Sequence, residues 1–167
     1  MAKKVLWATV FALVAAMLQS TLLARLAIYH AVPDLVLGII VFTAYNNGVM
    51  TGQVTGFFSG LLLDFLSAAP LGLNALIRTL MGAVAGLMKG TFFLDTLFLP
   101  MLLCGAATAF KGLLLLVLHL LFAAGVPAYT LMAPTFWVEL LWNIFSAPLL
   151  FGFLNLFKSV LIGGGKR

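Results

Sequence analysis

Glycine recurs every fourth residue along two neighbouring apolar stretches, and this pattern constrains the fold more than any other feature of the chain. Gly48, Gly52, Gly56 and Gly60 form the first stripe, whose next step is Asp64. Arg78, Gly82, Gly86 and Gly90 form the second. Between them lies Ser67-Ala68-Ala69-Pro70-Leu71-Gly72, which reads as a turn. Residues four apart share one face of a helix. Small residues on that face let two helix backbones approach closely inside a membrane. The stretch 49–90 therefore predicts an antiparallel helical hairpin with facing glycines. Asp64 and Arg78 fall next to the turn, where the arms meet. They are expected to neutralise each other, because an unpaired charge in lipid is costly.

That reading needs a membrane, and the composition supplies the reason to expect one. The chain is 64% hydrophobic and 8% charged, with a mean hydropathy of +1.22. Long uncharged runs of this kind indicate transmembrane helices. At about 20 apolar residues per span, 167 residues leave room for roughly six spans and no separate soluble domain. A single cysteine, Cys104, excludes an internal disulfide and gives no metal-ligand spacing. A net charge of +5 is too small and scattered for a nucleic-acid surface, but its sidedness is informative.

Lys3 and Lys4 precede the apolar run Val5–Leu23, which is longer than the 7–15 residues usual for a signal-peptide core. It reads as an uncleaved first helix, with Trp7 at the interface. Ala8, Ala12 and Ala16 make a further small-residue stripe, read as ordinary helix packing rather than a docking motif. Arg25, Tyr29 and His30 lie in the first connection, and Asp34, after Pro33, is placed as the N-cap of a second helix. One helix from Asp34 to Leu66 would be roughly 50 Å long, well beyond a core of roughly 30 Å. A break at Asn46-Asn47-Gly48 resolves this. The helices are then expected at about 5–23, 35–46, 49–66, 71–88, 97–122 and 135–157, forming one integral membrane domain, 1–167. Phe92 and Phe93 are expected at an interface, and Pro100 sits in the first turn of the fifth helix, where proline is tolerated. With six spans, Lys3, Lys4, Lys89, Lys158, Lys166 and Arg167 face the cytoplasm and only Arg25 faces out. Merging the second and third helices would place four of these cations outside, against the positive-inside rule. The expected fold class is thus an all-α polytopic bundle with six transmembrane helices and both termini cytoplasmic.

Intramembrane charges raise the question of function. Asp64 and Arg78 could form a structural lock or a proton relay. The lock is preferred, because the third helix continues from Asp64 only through Ser59, Thr55, Gln53 and Thr51. Cys104, Thr108 and Lys111 share a face of the fifth helix, and Glu139, Asn143 and Ser146 a face of the sixth. Lys111, Glu139 and Asn143 could form a second polar clasp, or line a ligand pocket or partner contact. By these boundaries Lys111 lies roughly two turns deeper than Glu139, which would leave it imperfectly paired. His30 and His119 have no second ligand at metal spacing and read as interfacial anchors. No nucleophile–base arrangement, phosphate loop or acid–base carboxylate pair is present. No enzyme activity, metal or cofactor is expected.

The stretch from Pro33 to Gly90 resembles the signature of the MreD family of rod shape-determining membrane proteins. The residues that carry this are Pro33-Asp34-Leu35, then Gly52, Gly56-Phe57, Gly60-Leu61-Leu62, Asp64 and Ser67, then Pro70-Leu71-Gly72 with Ala75-Leu76. Asn143 and Pro148, followed by a basic end, also fit. Lys111 departs from the pattern, since an acidic or apolar residue is expected there. The resemblance implies a non-enzymatic scaffold of the bacterial elongation machinery in the inner membrane. The implied partners are MreC directly, and MreB, RodA and a class B penicillin-binding protein within the same machinery. The family is also similar in fold to substrate-binding subunits of energy-coupling-factor transporters, which implies an S-component-like bundle and supplies the alternative function. In that alternative the Ala8–Ala12–Ala16 stripe resembles the motif through which such subunits dock to their coupling protein. The candidate outer connections at 66–71 and 123–134 are small and apolar, which favours the scaffold.

Overall fold

The structure is a computed structural model that describes residues 1–29, 31–67, 69–91, 97–122, 126 and 132–163. Among these residues every regular element is helical. Six α-helices run in order: α1 Ala2–Thr21, α2 Leu35–Asn47, α3 Val49–Leu66, α4 Leu73–Leu87, α5 Phe98–Phe122 and α6 Pro134–Leu156. A 3-10 turn, Leu23–Leu26, follows α1, and a short π-helix, Ser159–Gly163, follows α6. α1, α3, α5 and α6 are long and apolar enough to cross a membrane, whereas α2 and α4 are apolar but shorter. His30, Phe92 and Phe93, to which interfacial roles were assigned, lie outside the described residues.

The centre of the bundle is α2. Every residue from Val36 to Ala44 is buried, so this helix is wrapped by protein on all sides. That explains why its sequence has no polar face, since a helix hydrophobic all round is a buried one. Phe42 of α2 packs edge-on against Phe151 of α6, ring centres 5.1 Å apart. On α1 the alanines Ala8, Ala12 and Ala16 turn inward and are buried in the same core, which matches packing rather than docking. Asp34 caps α2 by accepting from the Leu37 N–H at 3.0 Å. At the other end the helix stops at Gly48, whose φ of 97° lies in the left-handed region that glycine tolerates. That residue divides α2 from α3, so the break falls where the length argument requires it. Asn47, just before it, gathers this end of the bundle. Its Oδ1 accepts from Lys4 Nζ at 2.9 Å, and its Nδ2 donates to the Leu161 carbonyl at 3.0 Å.

α3 and α4 form the closest helix pair, and glycine is the reason. A Cβ on Gly52 would be driven into the Gly82 carbonyl, and one on Gly82 into the Gly52 carbonyl. A Cβ on Gly56 would meet the Arg78 carbonyl, and one on Gly60 would lie 2.6 Å from Ala75 Cα. Gly86 lies against the backbone of Val49 and Gly48. Gly90 departs from the expected stripe. It lies beyond the end of α4 at φ 74° with nothing within 4 Å of an added Cβ. Its role is conformational, in the turn that follows the helix, and the crossing ends at Gly86.

Candidate functional site

Four helices bring their charged residues to one point. Asp34 arrives at the N-terminus of α2, Arg78 from the second turn of α4, Lys111 from the middle of α5 and Glu139 from the second turn of α6. Arg78 Nη2 donates to both carboxylate oxygens of Asp34, each at 3.1 Å. Lys111 Nζ donates to Asp34 Oδ2 at 2.9 Å and also to Glu139 Oε1. Two carboxylates and two cations sum to zero. Asp34, Arg78 and Glu139 are all buried. Such a set is stable in low dielectric only when each charge is matched. Asn143 completes the cluster. Its Oδ1 accepts from the Asp34 backbone N–H at 2.6 Å, and its Nδ2 donates to Thr108 Oγ1 at 2.9 Å. Thr108 in turn donates to the Cys104 carbonyl at 2.8 Å.

This geometry corrects the expected pairing. Arg78 turns to Asp34 and not to Asp64. Asp64 is taken by the start of α4 instead. Its Oδ2 accepts from the N–H groups of Gly72 at 2.9 Å and Ala75 at 3.1 Å. Its Oδ1 accepts from the Asn74 N–H at 2.9 Å and the Asn74 side-chain amide at 3.0 Å. The physical reason is that the N-cap of α4 is Gly72, which has no side chain to cap the exposed N–H groups of the first turn. A carboxylate one helix away satisfies them and also faces the positive end of the helix dipole. Lys111 is likewise better paired than the boundaries implied. It spans Asp34 and Glu139, so the proposed clasp of Lys111, Glu139 and Asn143 and the charge of Arg78 belong to one network. Asp34, read in the sequence as a cap and as part of the family signature but not as an ion-pair partner, is its hub. The signal was the position of Asp34 at the head of a helix with no polar face, which places it inside the bundle.

The arrangement ties α2, α4, α5 and α6 together. Ser59 donates to the carbonyls of Thr55 at 2.6 Å and Gly56 at 3.3 Å, so its hydroxyl is turned onto its own helix. His119 Nδ1 lies 2.9 Å from the Val126 carbonyl, tying the end of α5 to the residues after it. Among the described residues no group of three His, Cys, Asp or Glu could hold a metal ion. Replacing Asp64 by alanine strands three backbone N–H groups. The expected cost is about 2 kcal/mol, read as a fall of roughly 4–8 °C in the detergent unfolding midpoint. Asp64→Asn, whose amide oxygen still accepts, is expected to lose less. An unchanged midpoint in the alanine variant would show that the cap contributes nothing.

Fold and site together define a membrane protein whose described residues are helical and whose interior charges pair with one another. The family of rod shape-determining protein MreD matches this chain over residues 1–157. The chain belongs to that family. No curated protein and no solved structure matches it.

Proposed function

We propose that the protein is a non-enzymatic scaffold of the cell-elongation machinery in the bacterial inner membrane, binding MreC and through it helping to organise peptidoglycan synthesis. The observation that carries this reading is the family match over residues 1–157. The neutral charge cluster at the bundle centre supports it, since the side chains best suited to chemistry hold helices together. MreB, RodA and a class B penicillin-binding protein are proposed as further members of the assembly, reached through MreC or in direct contact.

The proposed topology has six crossings with both termini cytoplasmic. α2 and α4, at 13 and 15 residues, reach only about 20 Å each, short of a hydrocarbon core of about 30 Å. Protein surrounds α2 on every side, so the chain at its ends need not face lipid, and irregular backbone at membrane depth is tolerated where protein covers it. The alternative, a transporter substrate-binding subunit, would need the Ala8–Ala12–Ala16 stripe on the surface. Its burial in the core favours the scaffold.

The test is affinity purification in mild detergent with the co-eluting proteins identified. A single-span protein of MreC type is expected to co-elute at a fixed ratio. Recovery instead of a tightly bound vitamin-like molecule, together with a transporter coupling protein, would overturn the scaffold reading.

A further inference from the structure

The end of the bundle opposite the charge cluster carries cations that no described carboxylate answers. Lys3 and Lys4 lie in the first turn of α1, Lys89 follows α4 and Lys158 follows α6. Two of them meet at the end of α2. Asn47 Oδ1 accepts from Lys4 Nζ at 2.9 Å, and Lys89 Cδ lies 3.8 Å from where a Cβ on Gly48 would stand. The described carboxylates are all at the far ends of their helices. Asp34 heads α2 and Glu139 is in the second turn of α6, where they pair with Arg78 and Lys111. Asp64 is in the last turn of α3 and holds the start of α4. The fourth carboxylate of the chain, Asp95, lies outside the described residues.

Beside these lysines the surface is hollowed. A cleft of about 530 Å³ lies between the start of α1 and the π-helix Ser159–Gly163, and Lys3, Lys4, Trp7, Ser159 and Val160 are among the residues that line it. An ammonium has three donors, and Asn47, a neutral acceptor, takes one from Lys4. That bond fixes the lysine stem and leaves two donors for a ligand. Tryptophan is the side chain that settles at head-group depth, and basic pockets between membrane helices suit anionic head groups. From the cleft, Leu6, Val10 and Val14 continue along α1 as exposed apolar side chains. An amphiphile with its head in the cleft can lay its chains there, so the cleft need hold only the head. We propose that this cleft binds the head group of an anionic glycerophospholipid, its phosphate held by Lys3 and Lys4 and its chains lying along the exposed face of α1. The site rests on the chain being a membrane protein and not on the identity of its partners.

Trp7 reports on the site directly. The other tryptophans, Trp137 and Trp142, lie in the half of α6 away from the cleft and are replaced by phenylalanine, so that Trp7 alone fluoresces. The intact protein in a neutral detergent is titrated with dioleoyl phosphatidylglycerol, with dioleoyl phosphatidylcholine, and with glycerol 3-phosphate, which has a head and no chains. A lysine beside an anionic head group is worth about fivefold in affinity. With two lysines, phosphatidylglycerol is expected to change the Trp7 signal at a roughly 20-fold lower mole fraction than phosphatidylcholine, and glycerol 3-phosphate to do nothing. Lys3→Gln is expected to weaken the response to phosphatidylglycerol about fivefold. Arg25→Gln, which removes an exposed cation beyond the other end of α1, is expected to leave it unchanged. Ser159→Phe keeps every charge but puts a ring in the cleft, and is expected to abolish the preference between the lipids. Lys3, Arg25 and Ser159 are all exposed, so the lipid-free unfolding midpoint of each variant should match that of the parent. Equal responses to the two lipids, or none to either, would overturn the proposal. So would glycerol 3-phosphate acting as well as phosphatidylglycerol, a loss in Arg25→Gln equal to that in Lys3→Gln, or a full preference retained in Ser159→Phe.

Discussion

Asp34→Asn is expected to lower the stability of the folded protein by about 3–5 kcal/mol, the usual cost of removing one partner from a buried ion pair. Asparagine is as good an N-cap as aspartate, and its oxygen can still accept from the Leu37 N–H. The substitution therefore isolates the charge from the cap. What it leaves behind is Arg78 without its carboxylate and Lys111 with Glu139 alone. Against a typical total of about 5–15 kcal/mol, the loss should be visible as low accumulation in the membrane and an early unfolding midpoint in detergent. A second substitution makes the test specific. Arg78→Met in the wild-type background leaves Asp34 with Lys111, and is expected to be damaging too. Combined with Asp34→Asn it removes the orphaned cation, so the double variant should be more stable than the sum of the single losses predicts. Coupling between contacting residues of this kind is commonly 0.5–3 kcal/mol. Exchanging Asp64 and Arg78, by contrast, should rescue nothing, because the two do not meet. Strict additivity in the first pair, or rescue in the second, would replace Asp34 by Asp64 as the partner of Arg78.

That contrast marks where the sequence stops being legible. The spacing of Gly52, Gly56, Gly60, Gly82 and Gly86 reveals the α3–α4 crossing directly, since period four names a helix face and small residues on both faces name a close approach. The length of the stretch from Asp34 to Leu66, set against membrane thickness, reveals the break at Gly48. Spacing says nothing about which way a long side chain turns, however. Arg78 has several rotatable bonds and carboxylates on two neighbouring helices. Its choice depends on what else each carboxylate must do. Asp64 is claimed by the N–H groups of Gly72, Asn74 and Ala75, a demand created by a glycine at the head of α4. Asp34 is free to serve Arg78 because its cap uses one oxygen lightly and its neighbours are cations. The same limit explains Lys111. The expected boundaries of α5 and α6 fall within one residue of those observed, but neither the tilt of the two helices nor the reach of a lysine is written in a residue count. Gly90 fails for another reason: a glycine at the right spacing can be there for its φ rather than for its missing side chain.

Gly56→Leu is expected to be the most damaging substitution on the α3–α4 crossing. The first atom of any side chain there is driven into the Arg78 carbonyl and lies 3.1 Å from Thr79 Cα. Those are backbone atoms in the middle of a helix, so no rotamer change can relieve the clash and the two helices must separate. Separation unpacks Gly52 from Gly82 on one side and Gly60 from Asn74 and Ala75 on the other. It also pulls Arg78, which sits opposite Gly56, away from Asp34, so packing and charge pairing fail together. Overpacking alone usually costs about 1–3 kcal/mol. Adding a disturbed buried ion pair at about 3–5 kcal/mol brings the loss into the range of the whole stability. Gly56→Leu should therefore fail to accumulate, and Gly56→Ala, which brings only the first atom, should accumulate with a clearly lowered midpoint. Gly152→Leu is the control, since an added Cβ on that α6 glycine meets nothing within 4 Å. It should accumulate normally, as insertion into lipid favours leucine over glycine. Membrane fractionation and the detergent unfolding midpoint of the three variants decide the matter. If Gly56→Leu accumulates and melts like Gly152→Leu, the facing backbones are not held together by the absence of side chains. The cohesion of the hairpin would then rest on the Asp64 cap at its turn and on the charge cluster behind it.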